Sequence, residues 1–144
     1  MSSPRVVYIN LPSKDIDASK RFASALGLIK KFDGGRDGMR SASFAYSDSV
    51  HIFYHSHETW ERWLFQGRKT ADAHQVTQSL ISLGAESPEE VESLVGKAIG
   101  AGGKRGPRMV PEEEKWGMYS RTVEDPDGHV YEIVYSSHQG DCGV

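Results

Sequence analysis

Histidines are the side chains of this 144-residue chain with the strongest metal-binding chemistry, and there are six of them. His51, His55 and His57 are separated by even spacings, so they lie on one face of an extended strand. Imidazole is a common ligand of Zn²⁺ and related ions, and three such groups together would form a metal site. We favour the alternative, a partly exposed strand face that leads into a loop, because the internal repeat described below puts Ile52 on the inward side.

A second candidate is a carboxylate, Glu132, which follows the turn Asp125-Pro126-Asp127-Gly128 by four residues. Proline early in this turn and glycine at its end are typical of a tight connection between two strands. A carboxylate that faces a cleft can bind a cationic or hydroxyl-bearing ligand or act as a general base. The alternative is a structural carboxylate that bonds to neighbouring tyrosine or backbone groups.

The elements that must position these residues occur twice. In the first half a strand at residues 6–9 precedes a helix capped by Asp15, and two strands follow around residues 41–46 and 50–55. In the second half a strand at 79–83 precedes a helix that Ser87 caps, with Pro88 at its first turn, and a short strand near residues 108–110 and a hairpin over 118–135 follow. The repeat predicts an α+β fold of two tandem β-α-β-β-β modules at 5–56 and 77–136, joined by a linker at 57–76. We expect a single domain over 1–144, with a tail at 137–144.

Composition excludes several classes of protein. The chain has 17 basic and 20 acidic residues, a formal net charge of −3. This balance does not favour nucleic-acid binding, which needs basic excess. No stretch is long and apolar enough for a membrane span, and no apolar segment near Met1 suggests a secretory signal. The single cysteine, Cys142, cannot form an internal disulfide, so we expect a cytoplasmic protein.

Two stretches of the repeat resemble the vicinal oxygen chelate superfamily. One runs from Asn10 through Asp15 to Ala25-Leu26-Gly27, and the other runs from Asp125 to Glu132. The resemblance covers roughly residues 5–136 and implies two modules packed around a cleft. It also implies one of two activities: metal-dependent lyase, isomerase or dioxygenase chemistry, as in glyoxalase I, or metal-free binding, as in bleomycin-resistance proteins.

The resemblance implies four metal-ligand positions, two in each module, which map onto Tyr8, Ile52, Ser79 and Glu132. Only the carboxylate is a good ligand, whereas a stable divalent-metal site normally needs at least three protein ligands. We therefore expect no metal cofactor. A shift of one residue in the mapping would bring Gln78 or His51 into the site, and a divalent metal would then be the alternative.

Side chains of the same strand parity complete the predicted cleft. Its lining residues are Tyr8, Asn10, Ile52, Tyr54, Ser79, Tyr119, Arg121 and Glu132. The favoured hypothesis is a small-molecule-binding protein without a metal, and the alternatives are a glyoxalase-I-like metalloenzyme and a metal-free enzyme with Glu132 as catalytic base. We also expect a homodimer, with Trp60, Trp63 and Leu64 of a short linker helix as candidate contacts.

Overall fold

The computed structural model describes residues 5–137, and within them the predicted module is built twice. The first module contains β1 (Val7–Ser13), α1 (Ile16–Ala25), β2 (Ile29–Arg36), β3 (Met39–Ala45) and β4 (Val50–Ser56). A short helix, α2 (His57–Glu61), opens the connection. The second module contains β5 (Leu80–Gly84), α3 (Pro88–Gly100), β6 (Lys104–Arg105), a 3₁₀ turn (Glu113–Trp116), β7 (Met118–Glu124) and β8 (Val130–Ser136). The expected α+β class and the tandem arrangement are confirmed.

The two sheets have the same topology. Sheet 1 has the strand order β1-β4-β3-β2, and sheet 2 has the order β5-β8-β7-β6. In each sheet the first strand pairs in parallel with the last, and the remaining neighbours are antiparallel. A parallel pair needs a crossover connection, and the helix of each module is part of it.

Both helices begin where the local sequence predicts. The Asp15 carboxylate accepts hydrogen bonds from the backbone N–H groups of Asp17 and Ala18, and the Ser87 hydroxyl accepts one from Glu90. These bonds satisfy N–H groups that have no partner within the helix, and each cap stabilises a helix by about 1 kcal/mol. Along the chain the strand β5 begins one residue later than expected, and β6 lies at Lys104–Arg105 rather than near residues 108–110.

One core lies between the modules. The inner face of sheet 1 packs on α1 and that of sheet 2 packs on α3, and the two helices also contact each other. We call the opposite side of each sheet its outer face. The largest fully buried side chains on the inner faces are Tyr54, Tyr131, Phe44, Ile52 and Ile133. Side chains alternate along a strand, so these residues fix which neighbours point outward.

A hydrogen-bonded chain joins the two sheets through this core. The hydroxyl groups of Tyr54 and Tyr131 are 2.7 Å apart, and Tyr131 donates to the Asp125 carboxylate at 2.9 Å. Burial raises the pKa of Asp125, while the bonds from Tyr131 and from the His129 backbone favour its charged form. The turn that follows β7 is therefore a joint between modules as well as a strand connection. None of the helices over residues 5–137 has the length and apolar character needed to cross a membrane.

Candidate functional site

Sheet 1 carries an open groove on its outer face, with a volume of about 830 Å³. Large rings line it. The Phe53 ring lies 4.5 Å from the His55 ring and 5.9 Å from Phe32, and Trp63 of the linker meets His55 edge-on at 4.6 Å. We define this aromatic groove by its lining residues: Tyr8, Asn10, Lys31, Phe32, Ser41, Ser43, His51, Phe53, His55 and Trp63.

The floor of the aromatic groove is a fixed polar chain across three strands. His55 Nδ1 lies 2.7 Å from Ser41 Oγ, and His55 Nε2 lies 2.7 Å from Asn10 Oδ1. An amide oxygen only accepts, so Nε2 carries the proton and Nδ1 accepts from Ser41. Burial lowers the pKa of His55 to about 4, so the ring is neutral near pH 7. His55 is thus a neutral, oriented part of the site.

An irregularity in β2 brings two consecutive side chains of that strand to the groove. The pairing of β2 with β3 shifts between Lys30 and Phe32, which marks a β-bulge at Lys31. A bulge places an extra residue on one strand and re-aims its side chain. As a result Lys31 and Phe32, although consecutive, both line the groove.

The outer face of sheet 2 is polar where that of sheet 1 is aromatic. Glu132 lies there, 9% exposed, and accepts a hydrogen bond of 2.7 Å from the Ser82 hydroxyl. Thr122 is its cross-strand partner and shares the face. These three side chains place a carboxylate among hydroxyl groups on the centre of the sheet.

Within one chain the two outer faces point away from each other. Tyr54 and Tyr131 meet between the sheets, and their neighbours His55 and Glu132 have the opposite parity. Tyr8, which also lines the aromatic groove, therefore does not meet Glu132 in the same cleft of one chain. The two sequence-predicted residues lie on equivalent but separate faces.

The structure corrects the predicted parity of β4. Ile52 and Tyr54 are fully buried in the core and do not line a cleft, whereas His51, Phe53 and His55 line the groove. The predicted match of Ile52 in the first module with Glu132 in the second was therefore one residue out of register. Ile52 pairs with Phe44 as Tyr131 pairs with Val123, so Phe53 is the residue equivalent to Glu132.

The remaining predicted cleft residues lie in three places. Tyr8 and Asn10 line the aromatic groove as expected of a cleft face. Ser79 is exposed, precedes β5, and lines a different cavity beside the linker. Tyr119 and Arg121 lie on the α3 side of sheet 2, where each contacts the Glu92 carboxylate of that helix. They are separate from Glu132 because adjacent residues of β7 alternate in direction.

Several groove residues were not predicted as site residues: Lys31, Phe32, Ser41, Ser43, Phe53 and Trp63. The shared parity of His51 and His55 was a usable signal, because Phe53 lies between them on the same face. Lys31 had no comparable signal, since its direction depends on the bulge. Two further side chains that could do chemistry, the thiol of Cys142 and the imidazole of His138, lie outside the described residues.

Two of the four metal-ligand positions that the resemblance implies change when they are matched to the elements of the structure. Tyr8, the first-strand position that the resemblance implies, lies seven residues before the cap Asp15 of α1, and the residue seven before the cap Ser87 of α3 is Leu80 rather than Ser79. With Phe53 and Glu132 the set holds one carboxylate and no imidazole. Among residues 5–137, moreover, no three His, Cys, Asp or Glu side chains are grouped as a metal site. The residues at these positions do not fit a divalent metal ion.

The sequence also matches a known family. The profile of the Glyoxalase/Bleomycin resistance protein/Dioxygenase superfamily matches residues 5–133. The chain belongs to this superfamily. The match confirms the resemblance seen in the repeat and the two motifs. A search of curated proteins finds no match.

Solved structures of superfamily members share the fold. A family enzyme from Burkholderia phytofirmans PsJN aligns with a TM-score of 0.70 and 22% identity, over 91% of this chain and 98% of the other. A glyoxalase-related enzyme from Fulvimarina pelagi aligns with a TM-score of 0.70 and 21% identity, over 92% and 88%. A fosfomycin resistance protein from Listeria monocytogenes, solved with Mn(II) and sulfate, aligns with a TM-score of 0.64 and 17% identity, over 96% of this chain and 97% of the other. At these identities the likeness concerns the fold alone.

Proposed function

We propose that this chain binds a planar, largely apolar organic molecule in the aromatic groove, and that it does so without a metal ion. The observation that supports this is the set of half-exposed rings on one sheet face: Tyr8, Phe32 and Trp63 are 50–54% exposed. A concentrated exposed apolar surface with a few fixed polar groups is typical of a small-molecule site. The groove volume lies within the usual range for such sites.

Direct binding of a neutral planar probe, 2-naphthamide, tests this proposal by calorimetry. Phe53→Ala removes the central ring, so we expect its affinity to fall at least about 10-fold. Phe65→Ala is the matched control, because Phe65 is an exposed ring outside the groove and its loss should change nothing. No binding by the unaltered protein, or equal affinity in both variants, would contradict the proposal.

The absence of a metal role has its own test. Elemental analysis of the purified protein should find no stoichiometric divalent metal, and a chelator should leave Tm unchanged. A tightly bound ion would stabilise the folded state by mass action and its removal would lower Tm. One metal per chain that survives dialysis and is coordinated by Glu132 would favour the glyoxalase-I-like alternative.

We further propose that the protein is a homodimer in which the aromatic groove of one copy faces Glu132 of the other. Support comes from the opposite directions of the two outer faces in one chain and from exposed apolar side chains on the edge strands, Val7 and Tyr8 of β1 and Leu80 of β5. Edge strands with such surfaces are candidates for pairing. A cleft assembled in this way brings Tyr8 of one copy to Glu132 of the other, as the sequence predicts. The proposal is thus a cytoplasmic homodimer that binds its ligand without a metal.

Sedimentation at roughly 50 µM protein should give a dimer, and a monomer would count against the assembly. Mixing two inactive variants tests the shared cleft. If Phe53→Ala and Glu132→Ala each abolish probe binding, random re-pairing restores an unaltered cleft in about a quarter of all clefts. No recovery after re-pairing would show that each cleft belongs to one chain.

A further inference from the structure

The charge that faces the aromatic groove has one sign. Lys31 is the only Lys or Arg residue that lines it, and no Asp or Glu lines it. His55 is neutral because burial lowers its pKa to about 4. Over residues 5–137 no salt bridge involves Lys31, whereas its neighbour Lys30 pairs with Asp33 at 3.6 Å. The bulge therefore directs an unneutralised ammonium group toward a face of aromatic rings.

The hydrogen bonds at the groove floor leave an N–H donor of Asn10 facing the ligand space. The hydrogen bonds to His55 occupy the acceptor atoms Asn10 Oδ1 and His55 Nδ1. The Asn10 amide nitrogen has only a long contact of 3.5 Å, to the Tyr8 carbonyl, and so retains donor capacity toward a ligand. A molecule that lies on these rings therefore meets N–H donors and a cation, and it needs acceptor atoms to match them.

We propose that the groove selects a planar aromatic anion, of the aromatic carboxylate class, with its ring on Phe53 and its charge directed to Lys31. This inference rests on the proposed function and deepens it. An ammonium–carboxylate bond is roughly twice as strong as a neutral one. A cationic aromatic ligand would instead meet like charge at Lys31.

Two probes of the same shape test the charge selection: 2-naphthoate, an anion at pH 7.5, and 2-naphthamide, which is neutral. The unaltered protein should bind the anion about 10-fold more tightly. Lys31→Met should remove this preference, because it weakens the binding of 2-naphthoate more than that of 2-naphthamide. Lys30→Met is the matched control, because it removes the adjacent cation that already has a carboxylate partner, and it should keep the preference. High salt should weaken the preference, since a partly exposed charge pair is screened.

The outcomes separate this inference from the proposed function. Equal affinities for the two probes, or a preference that survives Lys31→Met, would overturn the selection of anions and leave planar binding in the groove intact. Tighter binding of a cation, 2-naphthylmethylamine, would also overturn it. Failure of all three probes to bind would overturn both proposals.

Discussion

The outer faces of the two sheets are built on the same topology and have opposite chemistry. At equivalent positions sheet 1 has Phe53 where sheet 2 has Glu132, and Asn10 where sheet 2 has Ser82. The inner faces remain alike: Ile52 and Tyr131, at matching positions, are both fully buried. A repeat that keeps its inner faces apolar while its outer faces differ has one set of positions for folding and another for recognition.

The difference also separates stability from binding. Phe44, Ile52 and Tyr54 of the inner face have no contact with solvent, so the removal of such a side chain leaves a cavity in a close-packed core. Outer-face rings are partly exposed, so their removal costs less folding free energy. Variants at adjacent positions of one strand should therefore affect different properties.

The largest expected effect comes from breaking the inner face of sheet 1. Ile52→Ala should lower the free energy of unfolding by about 3 kcal/mol, because it opens a cavity among Phe44 and its neighbours. Phe53→Ala, one residue along, should lower it by about 1 kcal/mol or less and abolish probe binding. Urea denaturation of both variants measures the contrast. Equal losses of stability would mean that the parity of β4 is wrong.

The next effect is the part of the pH dependence of stability that His55 of sheet 1 causes. The pKa of His55 is lowered to about 4 in the folded protein from an ordinary value of 6.5. The unfolded chain therefore binds more protons between these values, and stability falls as the pH drops from 6.5 toward 4.

The His55 contribution reaches up to about 3 kcal/mol at pH 4, from the size of the shift. Denaturation at several pH values should show this loss, and the difference between the unaltered protein and His55→Gln isolates it from other titrating groups. If the variant loses stability with the same slope, protonation of His55 is not the cause.

A smaller effect is expected where the two sheets meet. Tyr131→Phe should lower the free energy of unfolding by about 1–2 kcal/mol, since it leaves the buried Asp125 carboxylate with one donor fewer and breaks the bond to Tyr54. Tyr54→Phe removes one neutral bond and should cost about 1 kcal/mol or less. Thermal denaturation of both variants compares their losses of stability. A larger loss for Tyr54→Phe would contradict a chain of hydrogen bonds that runs from Tyr54 through Tyr131 to Asp125.

The smallest stability effect should come from the outer face of sheet 2. Glu132→Gln keeps the side-chain shape and an oxygen that accepts from Ser82, so we expect a change in the free energy of unfolding below about 0.5 kcal/mol. The free energy of probe binding should change by more than the free energy of unfolding, because the carboxylate is proposed to face the ligand. If the variant unfolds while binding by the remaining folded protein is unaltered, Glu132 is a structural residue.

Much of the fold is determined by signals that act over a few residues. Asp15 and Ser87 cap their helices from side chains within four positions of the bonds they make, and Pro126 with Gly128 defines the last hairpin. These features do not need the rest of the chain, so the sequence predicts the tandem modules. Glu132 and Tyr8 lie on the outward parity of their strands, and their role in ligand binding stays a prediction.

The parity of β4 was decided only by the tertiary structure. Large rings or apolar groups occur on both of its sides, Ile52 and Tyr54 on one and Phe53 and His55 on the other, so hydrophobic alternation does not identify the buried face. Packing against α1 makes that choice, and it places the rings of His51, Phe53 and His55 in the groove. The direction of Lys31 likewise depends on a bulge that arises when β2 pairs with β3. Both features depend on contacts between segments distant in sequence, and local residue patterns carry no record of them.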